Sequence, residues 1–192
     1  MKYLFRSTLS ACLAAATFTV SAQDDAALLK KAKKIHDKAF TLDTHADTPM
    51  LLARGGFDIT KDNDARTTNS KVDYPRMVRG GLDAIFFAVY LGQGPRTPEG
   101  HETAKKRALE IFDAVHTSLK NTSSMAALAT TPEEAIKIGK TGKRAIFIGV
   151  ENGYTIGHDL GMLQKFYDLG TRYMTLCHSS NNDICDSSTD PK

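Results

Sequence analysis

The sequence predicts an α/β fold built on a parallel sheet, and three observations support this. Apolar runs such as residues 84–91 show no polar alternation, which is typical of strands covered on both faces. Segments with apolar residues at helical spacing lie between these runs, so strand and helix alternate about four times. Three of the four predicted strands end in ionisable side chains, at the edge where α/β proteins assemble their sites.

Residues 1–22 have the composition of a signal peptide. Lys2 and Arg6 precede a short apolar stretch, and Val20-Ser21-Ala22 fits the small-residue pattern of a cleavage site. We therefore expect export to the periplasm or the medium. Cleavage would leave residues 23–192 as one domain.

The apolar stretch is too short to span a bilayer as a helix, so no stable membrane insertion is expected. Lipid attachment at Cys12 is less favoured than cleavage, because only Ser7 and Thr8 separate Arg6 from the motif that ends there. Loss of residues 1–22 would lower the formal net charge from +3 to +1, with 23 basic and 22 acidic residues remaining. Nothing in this charge indicates a nucleic-acid partner.

The first half of the chain begins with a predicted helix whose apolar stripe faces away from a run of lysines. A strand over residues 39–45 opens into a loop, and residues 55–71 form a long polar loop. A short helix begins near Asp73 and Pro75, and Gly80-Gly81 suits its C-terminal cap. The apolar positions of the first helix are Leu28, Ala32, Ile35 and Ala39.

Strand and helix alternate through the second half as well. Thr131-Pro132-Glu133-Glu134 is a capping box with proline in the first turn, so a helix starts there. Asp159 caps a further helix, which Gly170 ends. The other predicted elements are strands over residues 84–91, 145–151 and 172–178, a helix over 101–121 and a polar loop over 179–192.

Four strand–helix units leave two architectures open. A barrel of eight such units needs roughly 250 residues. About 150 residues follow the first helix. The pattern therefore fits either a smaller open α/β fold or about half of a barrel.

Candidate metal ligands follow the first predicted strand. Because strand side chains alternate, Asp43, His45 and Asp47 share a face if the strand extends that far. His45 and Asp47 would then bind one zinc ion, and Asp43 would orient the histidine. The alternative is that Asp47-Thr48-Pro49 only caps the next segment and His45 has no ligand role.

Glu151 and His178 close two later strands. Glu151 is the one ionisable residue of its strand and Gly153 follows it closely, so the carboxylate is either a ligand or a satisfied loop residue. His178 is either a site residue or a hydrogen-bonded histidine. With His45 and Asp47 they form the set that a metal-activated water requires. The sequence has neither a serine nucleophile elbow nor a glycine-rich phosphate loop.

The remaining histidines and the cysteines show no comparable pattern. Cys12 would leave with the signal peptide. An oxidising compartment permits a bridge between Cys177 and Cys185, and the sequence leaves that pairing open. The histidines that we expect at the surface are His36, His101, His116 and His158.

Together the motifs resemble the membrane dipeptidases, peptidase family M19. The similarity follows the family's order from about residue 35 to the end of the chain. Each motif alone is weak, but the combination is specific. The motifs are Asp43-Thr44-His45-Ala46-Asp47, Val72 through Gly81, Gly149-Val150-Glu151-Asn152-Gly153, and Leu163 through Thr175 leading to His178 and Asp186-Ser187-Ser188.

The resemblance implies a (β/α)8 TIM barrel with two zinc ions, of which residues 23–192 would form the N-terminal half. It assigns His45 and Asp47 to the first zinc and Glu151 to a bridge between both. It also places His178 on the substrate carbonyl and the tetrahedral intermediate. A hydroxide between the zinc ions would hydrolyse the peptide bond of a dipeptide. A homodimer is compatible with the resemblance.

The chain departs from the family pattern after His178. In the family, two histidines of the second zinc site and an acidic residue for proton transfer come from later strands, and nothing here replaces them. We therefore expect a fragment that is nearly inactive alone. One alternative is an exported, non-catalytic remnant that binds metal or peptide. Another is a different amidohydrolase-like metalloenzyme on the same barrel.

Overall fold

The structure is a computed structural model that describes residues 21–190. The chain forms two units that divide between Ala39 and Phe40. Helix α1 (Ser21–His36) occupies the first unit and confirms the helix predicted there. The predicted signal peptide, residues 1–22, lies outside the described residues except for its last two positions. Within residues 21–190, no helix has both the length and the apolar character needed to cross a bilayer.

The second unit is an α/β fold in which all strand pairs are parallel, as predicted. Strands and helices alternate along it, and a short 3-10 helix (Gly153–Ile156) follows the fourth strand. The strands are β1 (Leu42–Ala46), β2 (Ala84–Tyr90), β3 (Ala126–Leu128), β4 (Arg144–Glu151) and β5 (Thr171–Met174). The helices are α2 (Thr48–Arg54), α3 (Ala65–Thr68), α4 (Tyr74–Gly80), α5 (Pro98–Asn121), α6 (Pro132–Lys140) and α7 (Gly161–Asp168).

Strand β4 is the centre of the sheet. On one side it pairs along its length with β2, which in turn pairs with β1. On the other side β3 pairs with the first half of β4, and β5 pairs with the second half. Because all five strands run in the same direction, their carboxyl ends lie at one edge of the sheet, where α/β proteins place their sites.

Three strand predictions need correction. The first strand begins at Leu42 rather than at residue 39. Strand β3 was not predicted, because a strand of three residues is too short to show a pattern of its own. Strand β5 ends at Met174 rather than at residue 178, since the carbonyl groups of Thr175 and Leu176 turn to accept hydrogen bonds from the Gly153 N–H at 2.8 and 3.2 Å.

Two of the predicted N-caps are present and one is wrong. Asp73 accepts a hydrogen bond from the Arg76 N–H at the start of α4, and Gly81 ends that helix with a φ of 67°. Thr131 accepts from the Glu134 N–H at 3.2 Å. The N-cap of α7 is Leu160 rather than Asp159, which precedes the cap and accepts from the Gly161 N–H at 2.9 Å. Helices α2 and α3 were not predicted. Both are short, with seven and four residues, and therefore show little periodicity.

Asp73 carries a stability prediction, because its carboxylate is fully buried. Burial alone raises the pKa of Asp73, but hydrogen bonds from the N–H groups of Asn63 and Arg76 and from the Arg76 guanidinium make the net shift downward. We expect Asp73→Ala to lower the free energy of unfolding by about 1–2 kcal/mol at neutral pH, because the cap and the ion pair are both lost. Urea denaturation measures this difference.

The lowered pKa also fixes the pH dependence of that difference. A carboxylate whose pKa is lower in the folded state stabilises fully above its unfolded value of about 3.9, and this contribution disappears as the pH falls through the folded pKa. The difference in stability between the variant and the wild type should therefore begin to shrink as the pH falls below about 4 and be smallest below the folded pKa of Asp73. Asp113→Ala, at an exposed position of α5, is the control. An Asp73→Ala difference that stays constant into acid would contradict the assignment.

The two faces of the sheet are packed differently. One face meets α5 and α7, where the rings of Phe112 and Phe166 stack with centroids 5.3 Å apart. On the opposite face Phe86 of β2 stacks on Phe147 of β4 at 4.7 Å. Since strand side chains alternate, Glu151 continues the face of Phe147 to the carboxyl edge of the sheet.

Candidate metal centre

The end of β1 presents His45 and Asp47 next to each other. The pairing of β1 with β2 is irregular between Asp43 and Ala46, and the Asp43 carboxylate accepts a hydrogen bond from the His45 N–H at 3.0 Å. The Asp43 carboxylate therefore binds the backbone N–H of His45, whereas the prediction was that it would orient the imidazole. His45 Nε2 lies 3.3 Å from Asp47 Oδ1.

Asp47 occupies the N-cap position of α2, but its side chain makes no capping hydrogen bond. The alternative interpretation was that Asp47 only caps the next segment. Asp47 does occupy the cap position, but its side chain does not act as the cap. Its carboxylate is 64% exposed and points to His45. It is available as a ligand.

Glu151 lies between His45 and His178. It ends β4 opposite Tyr90 of β2, and its side chain is only 16% exposed. Its Oε2 lies 3.4 Å from His45 Nε2, and its Oε1 lies 3.4 Å from His178 Nε2. All four predicted site residues therefore meet around this one carboxylate.

The spacing of three of these side chains fits one bound zinc ion. Two ligands about 2.05 Å from a tetrahedral ion are roughly 3.3 Å apart. His45 Nε2 is 3.3 Å from Asp47 and 3.4 Å from Glu151, and the donor atoms of all three residues lie within 4.8 Å of one another. One imidazole nitrogen with two carboxylates is also a donor set that zinc accepts in hydrolases. A fourth position would remain for water or substrate.

His178 reaches the site from a loop, although the prediction placed it at the end of a strand. Its ring makes an edge contact with the ring of Tyr90, with centroids 5.0 Å apart. Its Nδ1 is 2.7 Å from Ser179 Oγ. The imidazole is 41% exposed, so its Nε2 edge is accessible to a small molecule bound at Glu151.

Tyr173 is a site residue that the sequence analysis missed. It lies on β5 opposite Gly149, and a Cβ on that glycine would collide with the Tyr173 ring. The ring also packs against Phe86 at 4.9 Å between centroids. An isolated glycine in an apolar strand is a known sign of such a close approach, so Gly149 was the available signal.

The hydroxyl of Tyr173 contacts the metal-ligand segment. It donates to the Thr44 carbonyl at 3.2 Å and lies 3.4 Å from His45 Nδ1. Since its one proton is directed at the carbonyl, the oxygen can accept a hydrogen bond from Nδ1–H of His45. Burial raises the pKa of Tyr173, and the negative charges of Glu151 and Asp47 raise it further, so the hydroxyl keeps its proton. Such a hydrogen bond would orient the imidazole when Nε2 of His45 binds a metal ion.

Asn152 supports the turn after Glu151 and was also missed as a site residue. It is completely buried and has a φ of 80°. Its side chain accepts from the Tyr154 N–H at 3.2 Å and from Asn182 Nδ2 at 3.1 Å, and it donates to the Leu91 carbonyl at 3.1 Å. Asparagine tolerates positive φ better than most residues, which fits this position.

Asn152→Ala should therefore lower the free energy of unfolding by about 2 kcal/mol, through lost buried hydrogen bonds and a positive φ that alanine tolerates poorly. Asn152→Gly removes the same side chain without the penalty for positive φ, so it should be less damaging by roughly 1 kcal/mol. Chemical denaturation of both variants separates the two causes. Equal losses would show that the backbone conformation contributes nothing.

A second group of ionisable residues combines His101 of α5 with His158 and Asp183, which lie in loops. His101, His158 and Asp183 have donor atoms within 4.8 Å of one another. His101 Nε2 is 2.9 Å from one Asp183 oxygen, while Arg96 donates to the other at 2.8 Å and lowers the pKa of Asp183. We interpret this group as a satisfied ion pair, because the guanidinium already neutralises the carboxylate. The prediction that His101 is a surface residue is wrong, since only 4% of it is exposed.

A cavity of about 560 Å³ adjoins the candidate metal centre. His45, Asp47 and Tyr90 line it on the side of the site, and the cations Arg54 and Lys71 line it elsewhere. Its size is in the range of small-molecule sites. The volume beside the ligands is therefore sufficient for a small substrate.

Comparison with known proteins agrees with this geometry. The family model described as "Membrane dipeptidase (Peptidase family M19)" matches residues 29–192. A protein of Clonostachys rogersoniana, dipeptidase verJ, is 29% identical over 167 residues, which cover 83% of this chain and 43% of that protein. A dipeptidase of Aspergillus terreus, ataJ, is 26% identical over 168 residues, covering 84% of this chain and 41% of that protein.

Solved structures show the same fold. The probable dipeptidase PvdM from Pseudomonas aeruginosa superposes with a TM-score of 0.74 at 22% identity, over 84% of this chain and 40% of that chain. A metallo peptidase from Rhodobacter sphaeroides gives a TM-score of 0.63 at 22% identity, over 74% of this chain and 46% of that chain. These matches confirm the α/β fold class and agree with part of a TIM-type barrel.

The chain spans about two fifths of the length of the relatives that it matches. Over that span the family model matches residues 29–192, and the α/β fold with its parallel sheet is the fold of the solved structures. The family model covers the described site from β1 to the loop after β5. This chain therefore belongs to the membrane dipeptidase family, peptidase family M19.

Proposed function

We propose that this chain provides the first part of the catalytic centre of a zinc-dependent dipeptidase. The observation that carries the proposal is Glu151, which contacts His45 with one carboxylate oxygen and His178 with the other, each at 3.4 Å. A carboxylate in this position has one oxygen for the metal that His45 and Asp47 would hold. Its other oxygen is directed to the side from which a substrate would enter.

Each side chain has a separate role in this proposal. His45, Asp47 and Glu151 would hold the metal. When bound, zinc would lower the pKa of a water molecule to near neutrality and polarise the scissile carbonyl. His178 is not needed as a ligand of that ion, and its accessible Nε2–H can donate to the oxyanion that develops during peptide hydrolysis.

A second zinc ion is part of the proposal, because the family resemblance implies two. Glu151 Oε1 would serve that ion as the bridging ligand. Among residues 21–190, His45 and His178 are the histidines that contact Glu151. We propose that the other ligands belong to the part of the relatives' length that this chain does not span, and that residues 1–192 alone hydrolyse dipeptides poorly.

Dipeptides are the proposed substrates on the basis of the relatives. Several are named dipeptidases, and the Rhodobacter sphaeroides peptidase was solved with a phosphinate mimic of the dipeptide L-Ala-D-Ala. We further propose export through residues 1–22, which the composition of that segment supports. A homodimer remains compatible with this proposal.

The test combines zinc binding with hydrolysis of L-Ala-D-Ala. The metal-free 192-residue chain should bind zinc, and the protein isolated from its source should cleave the dipeptide, lose activity with a chelator and regain it with zinc. Zinc binding without hydrolysis by the source protein would favour the alternative, a non-catalytic remnant that binds metal or peptide. Absence of zinc binding in the folded chain would contradict the proposed metal centre and leave only a remnant that binds peptide.

A further inference from the structure

The loop over residues 175–190, here called the His178 loop, is folded back on itself by Asn182. The Asn182 side chain donates to the Leu176 carbonyl at 2.7 Å and accepts from the Cys185 N–H at 3.1 Å. Its own N–H donates to the Cys185 carbonyl at 3.1 Å. This buried asparagine therefore holds the residue before Cys177 next to Cys185.

Contacts on the other side of the cysteines hold the same two arms together. Ser187 Oγ donates to the His178 carbonyl at 2.8 Å, and Thr189 Oγ1 donates to the Ser179 carbonyl at 2.9 Å. Hydrogen bonds thus connect the two arms of the loop on both sides of the cysteine pair. Little movement is available to either cysteine backbone while these bonds persist.

Cys177 and Cys185 face each other across this loop. Both thiols are free and partly exposed, and Cys177 Sγ lies 3.5 Å from the carbonyl oxygen of Asp186, the residue after Cys185. Hydrogen bonding with the Cys177 thiol raises the pKa of Cys185, and burial and Asp186 act in the same direction. Such a thiol is not activated as a nucleophile, so a structural use fits it better than a catalytic one.

We propose that Cys177 and Cys185 form an intrachain disulfide that closes the His178 loop. Both thiols lose a proton and together give up two electrons, and a small disulfide such as oxidised glutathione is reduced to two thiols. The new bond would close a ring of nine residues that contains His178. The proposal rests on the loop geometry and is independent of the proposed function.

Closing this ring would restrict the backbone on both sides of His178. In the reduced chain the loop is held by hydrogen bonds alone, which open individually. A covalent closure lowers the entropy of the unfolded chain and should therefore raise the thermal midpoint. It would also limit how far His178 can move from Glu151.

Tryptic digestion offers a direct test, because cleavage after Arg172 leaves both cysteines on the fragment 173–192, separate from Cys12. The folded chain is equilibrated with an oxidising glutathione buffer and then alkylated and digested. We expect a fragment that lacks two hydrogen atoms and carries no alkyl group. Prior reduction should give the same fragment with two alkyl groups.

Cys177→Ser and Cys185→Ser are the matched controls, and the 173–192 fragment of each should retain one alkylatable thiol. The oxidising buffer should raise the thermal midpoint of the wild type by several degrees and leave both variants unchanged. Two alkyl groups, or glutathione adducts, on the wild-type fragment would overturn the proposal. A disulfide that joins two chains through these residues would overturn it as well.

Discussion

The Glu151→Gln variant is expected to bind zinc at least about a hundredfold more weakly than the wild-type chain. Changes to the outer-shell partners of metal ligands already cost roughly 10–100-fold in affinity, and Glu151 is assigned as a ligand itself. Glutamine preserves the size of the side chain but replaces an anionic oxygen with a neutral amide, which zinc binds poorly. Isothermal titration of the metal-free chain with zinc measures the effect.

Two further variants make this result specific. Glu102→Gln is the matched control, because Glu102 is an exposed residue of α5 that pairs only with Lys105 in the described contacts. It should bind zinc like the wild type. His178→Ala removes the other partner of Glu151 without removing a ligand of the first ion, so zinc affinity should change little while hydrolysis by the source protein falls. Wild-type affinity in folded Glu151→Gln would show that Glu151 is not a ligand.

The sequence could predict those strands that are long and apolar. Residues 84–91 and 145–151 were predicted within one residue of the observed β2 and β4, because most positions of both strands are buried and their sequences are almost continuously apolar. The same reasoning extended β5 too far. Leu176 and Cys177 continue the apolar run, but the chain bends after Met174 when backbone groups pair with Gly153.

The residues of the candidate site were also predicted only in part. His45, Asp47, Glu151 and His178 were predicted because each is an ionisable residue that follows an apolar run, and the structure brings them together. Tyr173 was missed because its importance comes from a contact with His45, which is 128 positions away in the chain. The same is true of the His101–Asp183 pair, whose partners are 82 positions apart. Such contacts between distant positions cannot be inferred from residue type or from the spacing within one segment.

Tyr173 gives the second large prediction, since its hydroxyl lies 3.4 Å from Nδ1 of His45. The Tyr173→Phe variant keeps the ring that packs on Phe86 and fills the space above Gly149, and it removes only the oxygen. We expect zinc affinity to fall by about 10–100-fold, the range for outer-shell partners of metal-bound histidines. The cause is that Nδ1–H of the metal-bound His45 would lose its acceptor, so the imidazole would be held less firmly in the orientation that binds metal.

Proton NMR of the histidine rings in the zinc-bound chain tests this cause directly. In the wild type the Nδ1 proton of His45 should exchange slowly with solvent, because the Tyr173 hydroxyl accepts it, whereas in Tyr173→Phe its exchange should be faster. Tyr167→Phe is the control, because Tyr167 is an exposed residue of α7 whose ring lies beneath Arg172. A loss of zinc affinity with an unchanged exchange rate would mean that Tyr173 acts through packing alone. Unchanged exchange and unchanged affinity would remove Tyr173 from the site. A wild-type chain that binds no zinc would contradict the metal centre itself.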